Sequence, residues 1–530
     1  MSAASAAISL PVAHARPAVA INKWAIAAAV ALGALLEVVD TSIVNVALTD
    51  MQSSLGATLE QIGWVVSSYA VANVIILPLT AWLGDRFGKK RYFVFSLIAF
   101  TISSVLCGFA TTLPMLIFAR VLQGLGGGGL LAKAQSFLFE TFPKEEQAMA
   151  QGFFGAIVVA GPAIGPTLGG WIVTNVNWRW IFFINIPVGI VAVIMCLTFL
   201  PKDEEGTRRP GGIDWLSIGL LVAGLGALQT VLEEGQSDDW LESPFIRTFA
   251  VIAAAGILAF IWRQLRTKHP VVDLRVLRHR SLWSGSILSI VVGMALYGAL
   301  FAVPIFSESI MHFTSQQVGM LLLPGALVSA VMMPVAAKLL GKYDARVLLV
   351  CGALILAGAV LQLSHLSPQT GGDDFFWPLV LRAVGTVMMF LPLSMAALGP
   401  IPKKDVSAAS GFYNLTRQLG GSIGVALLTT MLARRNAFHR SILVEKLGAI
   451  APAVVERVHQ LTGVFLAQGF PLADAQQKAL AVLDGSVAVQ ASVLSFGDTF
   501  LATALLIVIT LPLVFLLGKV DRGTKVEVGH

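Results

Sequence analysis

"TLEQIGWVVSSYAVANVIILPLTAWLGDRFGKK", Thr58 to Lys90, aligns without a gap on "TSQQVGMLLLPGALVSAVMMPVAAKLLGKYDAR", Thr314 to Arg346. The match pairs Gln61 with Gln317, Gly63 with Gly319, Pro78 with Pro334, Arg86 with Lys342 and Lys90 with Arg346. A second echo pairs "GFFGAIVVAGPAIG" from Gly152 with "GFYNLTRQLGGSIG" from Gly411. Polar positions that recur in the same order within apolar surroundings mark an internal repeat, and that repeat decides the fold.

Each copy is oily. Of 530 residues 56% are hydrophobic and 12% charged, mean hydropathy is +0.80, and apolar runs long enough to cross a bilayer recur throughout. Fourteen spans are expected, at 24–48, 61–83, 92–110, 113–139, 148–173, 178–200, 214–232, 245–262, 282–306, 317–337, 347–365, 376–398, 406–432 and 495–517. The two matches make span two equivalent to span ten and span five to span thirteen. Spans one to six thus recur as nine to fourteen, with seven and eight inserted. Both copies start on the same side, so they are parallel repeats about an axis along the membrane normal, which places substrate between them near the midplane. The expected organisation is a cytoplasmic tail (1–23), a six-helix bundle (24–200), a two-helix insert with its linkers (201–280), a second six-helix bundle (281–518) containing a long external loop (433–494), and a cytoplasmic tail (519–530). The Ala- and Pro-rich lead-in, residues 1–22, reads as disordered. The first span lacks a clear small-residue cleavage site and reads as a retained anchor.

Charge orients the chain. With both termini inside, 24 of the 36 lysines and arginines fall in tails and cytoplasmic loops, and two, Arg179 and Arg247, in short external loops. This bias places both termini in the cytoplasm. Six more lie in the long external segment, which the rule exempts, and Arg120, Lys133, Arg382 and Arg417 lie within spans. The net charge of +6 therefore reflects topology, and no basic face on a soluble domain points to nucleic acid. Cys107, Cys196 and Cys351 all lie in apolar spans, and neither they nor the eight histidines show metal-ligand spacing, so no metal or haem is expected. No phosphate-binding GxxxxGK[ST] stretch is present, and no catalytic dyad, so neither ATP hydrolysis nor another enzymatic activity is expected.

Four stretches carry the chemistry. The loop after span two, "AWLGDRFGKKR", combines Gly84 and Gly88, which permit a tight turn, with Asp85 and the basic Arg86, Lys89, Lys90 and Arg91. Topology alone explains the basic residues but not the Asp and Gly spacing. Span five holds "GPAIGPTLGG": Gly161, Gly165 and Gly169 recur every four residues and admit a neighbouring helix, Pro162 and Pro166 deform their own, and Gly170 closes the run. Packing and gating are both open readings of it. Span four holds "FARVLQGLGGGG", with Arg120 inside the membrane, where an unpaired cation is costly. Span one holds "LLEVVDTSIVN", with the carboxylates Glu37 and Asp40.

Together these stretches resemble the major facilitator superfamily. The loop is similar to its signature "GxLaDrxGrkr", with Ala81 in place of the first Gly. Span five fits the antiporter motif "gxxxGPxxGG", and span four resembles "RxxqGxg". "VVDTSIVNVAL" resembles the span-one motif "lDxTivnvALP" of the fourteen-helix drug:proton antiporters, the EmrB-like branch, with Thr49 replacing Pro. The resemblance extends over nearly the whole chain. It implies an all-α 6+2+6 fold in the inner membrane that exports lipophilic drugs, cationic ones included, against protons by alternating access, with no cofactor beyond the proton gradient, and so antibiotic resistance. A same-fold exporter of a physiological solute such as a fatty acid, siderophore or metabolite is the alternative. Gram-negative members of this branch work with a periplasmic adaptor and an outer-membrane channel. The segment after span thirteen is accordingly either an adaptor-docking element or a helical cap without a partner.

Depth then assigns the polar residues. At 1.5 Å per residue, Asp40 lies roughly 12 Å and Arg120 roughly 10 Å from the outer ends of their spans, so the two are within reach. Asp40 is expected to exchange a proton while Arg120 holds its charged form; a purely structural pair is the alternative. Glu37, one turn deeper, is either a second proton site or a cation-recognition group. Arg417, about 17 Å into span thirteen, is a candidate pocket or coupling residue. Phe153, Phe154, Phe412 and Tyr413 either line the cavity or pack the core. Arg382, aligned roughly with Arg120, and Asp498 are expected at the external interface, and Lys133 is expected to snorkel to the cytoplasm.

Overall fold

A computed structural model describes residues 22–203, 212–267, 270–447 and 452–518, and every regular element among them is helical. The first repeat contains α1 (Lys23–Val46), a short α2 (Leu48–Leu55), α3 (Leu59–Ile76) leading into α4 (Thr80–Phe87), α5 (Lys89–Gly108), α6 (Leu113–Gly127) leading into α7 (Leu130–Thr141), α8 (Lys144–Asn175), and α9 (Trp180–Phe183) leading into α10 (Asn185–Phe199). The insert is α11 (Trp215–Glu234) and α12 (Pro244–Arg266). The second repeat contains α13 (Arg280–Ser309), α14 (Ser315–Leu340), α15 (Ala345–Leu363), α16 (Phe376–Leu398), α17 (Val406–Leu447), α18 (Pro452–Ala467) and α19 (Leu472–Thr510). The expected terminal tails lie almost wholly outside the described residues.

Among the described residues, twelve helical segments are long and apolar enough to cross a membrane. The other two expected spans fall on α13 and α17. The first half of α17 is short of apolarity because it carries Ser407, Ser410, Asn414 and Arg417, all buried.

The repeat is visible in the hydrogen bonds. Thr58 Oγ1 accepts from Gln61 N (3.2 Å) while Gln61 Oε1 accepts from Thr58 N (3.1 Å). Thr314 and Gln317 form the same reciprocal pair at 3.3 and 2.8 Å. The matched Thr and Gln thus start α3 and α14 with identical capping boxes, which satisfy N–H groups that a helix start leaves orphaned.

Close helix approaches extend the equivalence. Gly161 and Gly165 of α8 abut Val38 and Ser42 of α1, while Gly420 and Gly424 of α17 abut Ile290 and Met294 of α13. Gly126 of α6 lies against Phe100 of α5, and Gly385 of α16 against Leu356 of α15. Glycine at these points lets backbones touch, which is how helices associate in lipid.

The repeats meet along two seams. On one, α8 lies on α14 from Gly152, where an added Cβ would be 3.3 Å from Ala337, to Gly170, where it would be 2.9 Å from Gln316 N. On the other, Gly411 of α17 abuts Leu77 at the end that bears the basic loops, and α11 of the insert lies alongside, with Gln229 Nε2 donating to Ser422 Oγ (2.7 Å).

The stretch expected as a long loop is largely helical. Beyond the spans α17 and α19 run side by side, joined by Arg435 to Asp498 (2.5 Å) and Arg440 to Asp484 (2.7 Å), and α18 packs on α19.

Candidate functional site

The polar core of the first repeat begins with Asp40. It is completely buried, and its carboxylate accepts from Arg120 Nη1 (2.6 Å), Gln123 Nε2 (2.8 Å) and Asn185 Nδ2 (3.0 Å). Arg120 also donates to Gln123 Oε1 (2.7 Å) and to the Val65 carbonyl (3.0 Å), and its guanidinium lies 4.1 Å from the Tyr69 ring centroid. Every polar partner of this pair is therefore satisfied inside protein, as a charge in lipid requires. The glycines of "GPAIGPTLGG" seat α8 on α1 at this level: Gly161, Gly165 and Gly169 abut Val38, Ser42 and Ile43.

Glu37 is held differently. It is 6% exposed, and it accepts from Asn73 Nδ2 (2.9 Å) and from the backbone N–H of Leu131 (2.8 Å), with no cation bonded to it among the described residues. Leu131 stands in the first turn of α7. The run Gly126–Gly129 interrupts span four between α6 and α7, leaving α7 with a free N-terminus inside the membrane. Positive backbone ends of broken helices are natural seats for a negative charge. Gly128 makes the break fit: a Cβ there would lie 2.6 Å from Ile76 and 2.7 Å from Asn73 Cα.

The next residues of α7 reach across to the second repeat. Ser410 Oγ donates to the Ala132 carbonyl (2.7 Å), Lys133 Nζ to Ser407 Oγ (3.0 Å), Gln135 Nε2 to Ser394 Oγ (2.8 Å), and Asn414 Nδ2 to Gln135 Oε1 (2.8 Å). Asn414 in turn accepts from Arg417 Nη2 (2.7 Å), whose guanidinium is 5.1 Å from the Phe390 ring centroid. One short helix, α7, thus holds Glu37 with its first turn and the second repeat with its side chains.

The signature loop braces the basic end. Gly88 adopts a positive φ of 98° that favours glycine. Asp203 accepts from the N–H groups of Lys90 (2.8 Å) and Arg91 (3.2 Å), Lys90 Nζ bonds the Leu197 and Leu200 carbonyls, and Lys89 pairs with Glu140 (2.7 Å). Glu140 also offers its carbonyl to Lys403 of the second repeat (3.0 Å). Gly84 leaves room for the Lys133 ammonium, and Arg86 lies over Trp82, 5.8 Å from its ring centroid. Asp85 lines a cleft with Trp82, Lys404 and Phe412.

The expectations for Lys133 and Phe153 are corrected, and the other singled-out residues are placed as follows. Lys133 does not snorkel: it is 1% exposed and bonded across the seam, because the Gly84 gap gives its ammonium a protein pocket. Phe153 is 37% exposed and edge-on to Trp24 at the start of α1, since Gly152 takes the α8 face turned to α14. Phe412 lines the basic-end cleft, while Phe154 and Tyr413 pack in the cores of their repeats. Arg382 is buried within α16, whereas Asp498 is part-exposed between Arg435 and His439. Asn73, Gln123, Gln135, Asn185 and Asn414 were not anticipated, although the four-glycine run signalled the break that organises them.

A chain of duplicated helices around such a buried polar core is built as a secondary transporter. The sequence profile of the Major Facilitator Superfamily matches residues 30–425, and the chain belongs to that superfamily. It is 32% identical over 490 residues to the "Multidrug export protein EmrB" of Escherichia coli, covering 92% of this chain and 94% of that protein. It is 31% identical over 485 residues to the "Fatty acid resistance protein FarB" of Neisseria gonorrhoeae, again 92% and 94%. The crystal structure of the human organic anion transporter MFSD10 shares the fold at a TM-score of 0.56 and 14% identity, over 92% of this chain and 99% of that one.

Proposed function

We propose that the chain is a proton-coupled multidrug efflux antiporter of the inner membrane, with fourteen spans arranged 6+2+6 and both termini cytoplasmic. It exports lipophilic compounds by alternating access, without a cofactor other than the proton gradient. Likeness to EmrB over nearly the full chain supports the substrate class. The observation that carries the coupling is the double attachment of α7, to Glu37 on one side and to the second repeat on the other.

The basic ends of the repeats are joined in this structure. A proton reaching Glu37 neutralises the acceptor of the Leu131 N–H, removing the charge that favours the N-terminus of α7 by roughly 0.3–2 kcal/mol. The glycine break then lets α7 move, which loosens its bonds to Ser394, Ser407, Ser410 and Asn414 and opens the basic end. Loss of the proton re-forms the seat. Asp40 and Arg120, saturated by partners, hold α1 against α3, α6 and α10 and keep Glu37 at its depth. Glu37 is thus the proton carrier in this reading, and Asp40 a positioning residue.

Proton release or uptake by purified, reconstituted protein on addition of lipophilic compounds tests this. Substrate-triggered proton movement in wild type that vanishes in Glu37→Gln is expected. The same movement in the variant as in wild type would overturn the assignment, and none with any compound in wild type would overturn antiport itself. Likeness to FarB favours one second reading, export of a fatty acid by the same device. Docking of a periplasmic adaptor on the paired extensions of α17 and α19, leading to an outer-membrane channel, completes the proposed pump.

A further inference from the structure

Among the described residues, four basic side chains are buried within the membrane-spanning helices: Arg120, Lys133, Arg382 and Arg417. Three have partners, namely Asp40, Ser407 and Asn414. Arg382 has no hydrogen bond or ion pair among the described residues, and its Nε is enclosed without an acceptor although the residue is only 8% exposed. A guanidinium cannot shed its charge to escape this cost, so in lipid it implies an anion.

The repeat shows why no protein group supplies that anion. Val38 and Ser42 correspond to Ile290 and Met294, both 252 positions on, which puts Val292 at the place of Asp40. Gly126 corresponds to Gly385, 259 positions on, which puts Leu379 at the place of Arg120 and Arg382 at that of Gln123. The match that opens the sequence, 256 positions on, puts Gly325 at the place of Tyr69. The second repeat has lost the carboxylate, its arginine and the ring that covers it, yet has gained a cation one turn away. Gly325 puts no side chain at the place of that ring: α14 packs closely on α16 there, and an added Cβ would lie 3.3 Å from the Leu379 carbonyl and 3.8 Å from Ala383 Cβ. The single carboxylate of α13, Glu308, is exposed at its far end.

We propose that Arg382 is an anion-binding site in the second repeat, which takes a monovalent anion: the carboxylate head of an amphipathic substrate or a chloride ion. The first source rests on the export reading above; the second does not. Binding, unlike transport, reports on the site even where that reading fails.

The test is radiolabelled laurate binding to the full-length protein in nanodiscs, in chloride and in gluconate buffers, with dodecanol as competitor, together with thermal unfolding in the same buffers. Arg382→Gln is expected to weaken laurate binding at least about tenfold, the scale of a lost charge-assisted hydrogen bond, and Arg382→Lys by less. Laurate affinity equal in both buffers identifies the substrate head as the occupant. Chloride that weakens laurate and raises the wild-type melting temperature, but not that of Arg382→Gln, identifies the bulk anion. Wild-type laurate affinity in Arg382→Gln, with an unchanged chloride response, would overturn the proposal. Should that variant not fold, wild type alone decides: dodecanol that binds as tightly as laurate, with no chloride effect, overturns it equally.

Discussion

The two repeats share their helix contacts and differ in what those contacts enclose. Around α1 the first repeat buries Asp40, Arg120, Gln123 and Asn185 in one network and Glu37 in a separate seat made by Asn73 and the Leu131 N–H. Around α13 the corresponding register gives Ser289 for Glu37, Val292 for Asp40 and Leu379 for Arg120, all inside the second core. The fold therefore does not need the ion pair. Glycine approaches and capping boxes are common to both copies and suffice to assemble six helices. The charged network belongs to the first repeat alone, and with it the proposed proton chemistry, while the second repeat contributes the polar face of α17 that α7 grips.

That contrast can be broken from several directions. The largest effect is expected from Arg120→Leu, which leaves Asp40 buried with its charge unpaired and should destabilise by about 3–5 kcal/mol, read by thermal unfolding. Asp40→Val combined with Arg120→Leu copies the second repeat into the first. Most of that stability should return, while substrate-driven proton movement should fall because Glu37 loses its support. A double variant as unstable as the single one would show that the first repeat requires the pair to fold.

Smaller effects sharpen the role of α7. Gly128→Val overfills the helix break and should cost about 1–3 kcal/mol, with transport lost out of proportion to folded protein recovered. Gln135→Ala removes bonds to Ser394 and Asn414 worth about 1 kcal/mol each, so cross-linking across the basic end should slow while the unfolding temperature barely moves. The smallest effect tests sameness instead of difference: Thr58→Ala and Thr314→Ala should each cost about 1 kcal/mol, and hydrogen exchange at the first turns of α3 and α14 should rise alike.

Much of this was legible in the sequence. The ungapped repeat located equivalent helices, and depth counting brought Asp40 to Arg120 because a straight helix has a fixed rise. Other features resisted for physical reasons. Depth says nothing of azimuth, so Phe153 and Phe412 could not be placed on a face. Lys133 looked free to snorkel because the pocket opposite Gly84 is formed by a distant residue. Arg382 was matched to Arg120 but sits at the place of Gln123, since loops of unequal length shift the register between helices: 252 positions for α1, 256 for α3 and 259 for α6. The seat of Glu37 needed the break in span four, for which four glycines were the only trace.

The central claim, that the charge on Glu37 sets the basic end through α7, is tested most directly by a distance across that end as pH changes. Fluorescent labels on Glu145→Cys and Lys404→Cys, both exposed, with the exposed Cys351 replaced by Ser, report the gap by energy transfer in reconstituted protein. The account predicts that the gap widens on acidification in this background and that Glu37→Gln holds it wide at every pH. A variant whose gap still follows pH as the parent does would contradict it.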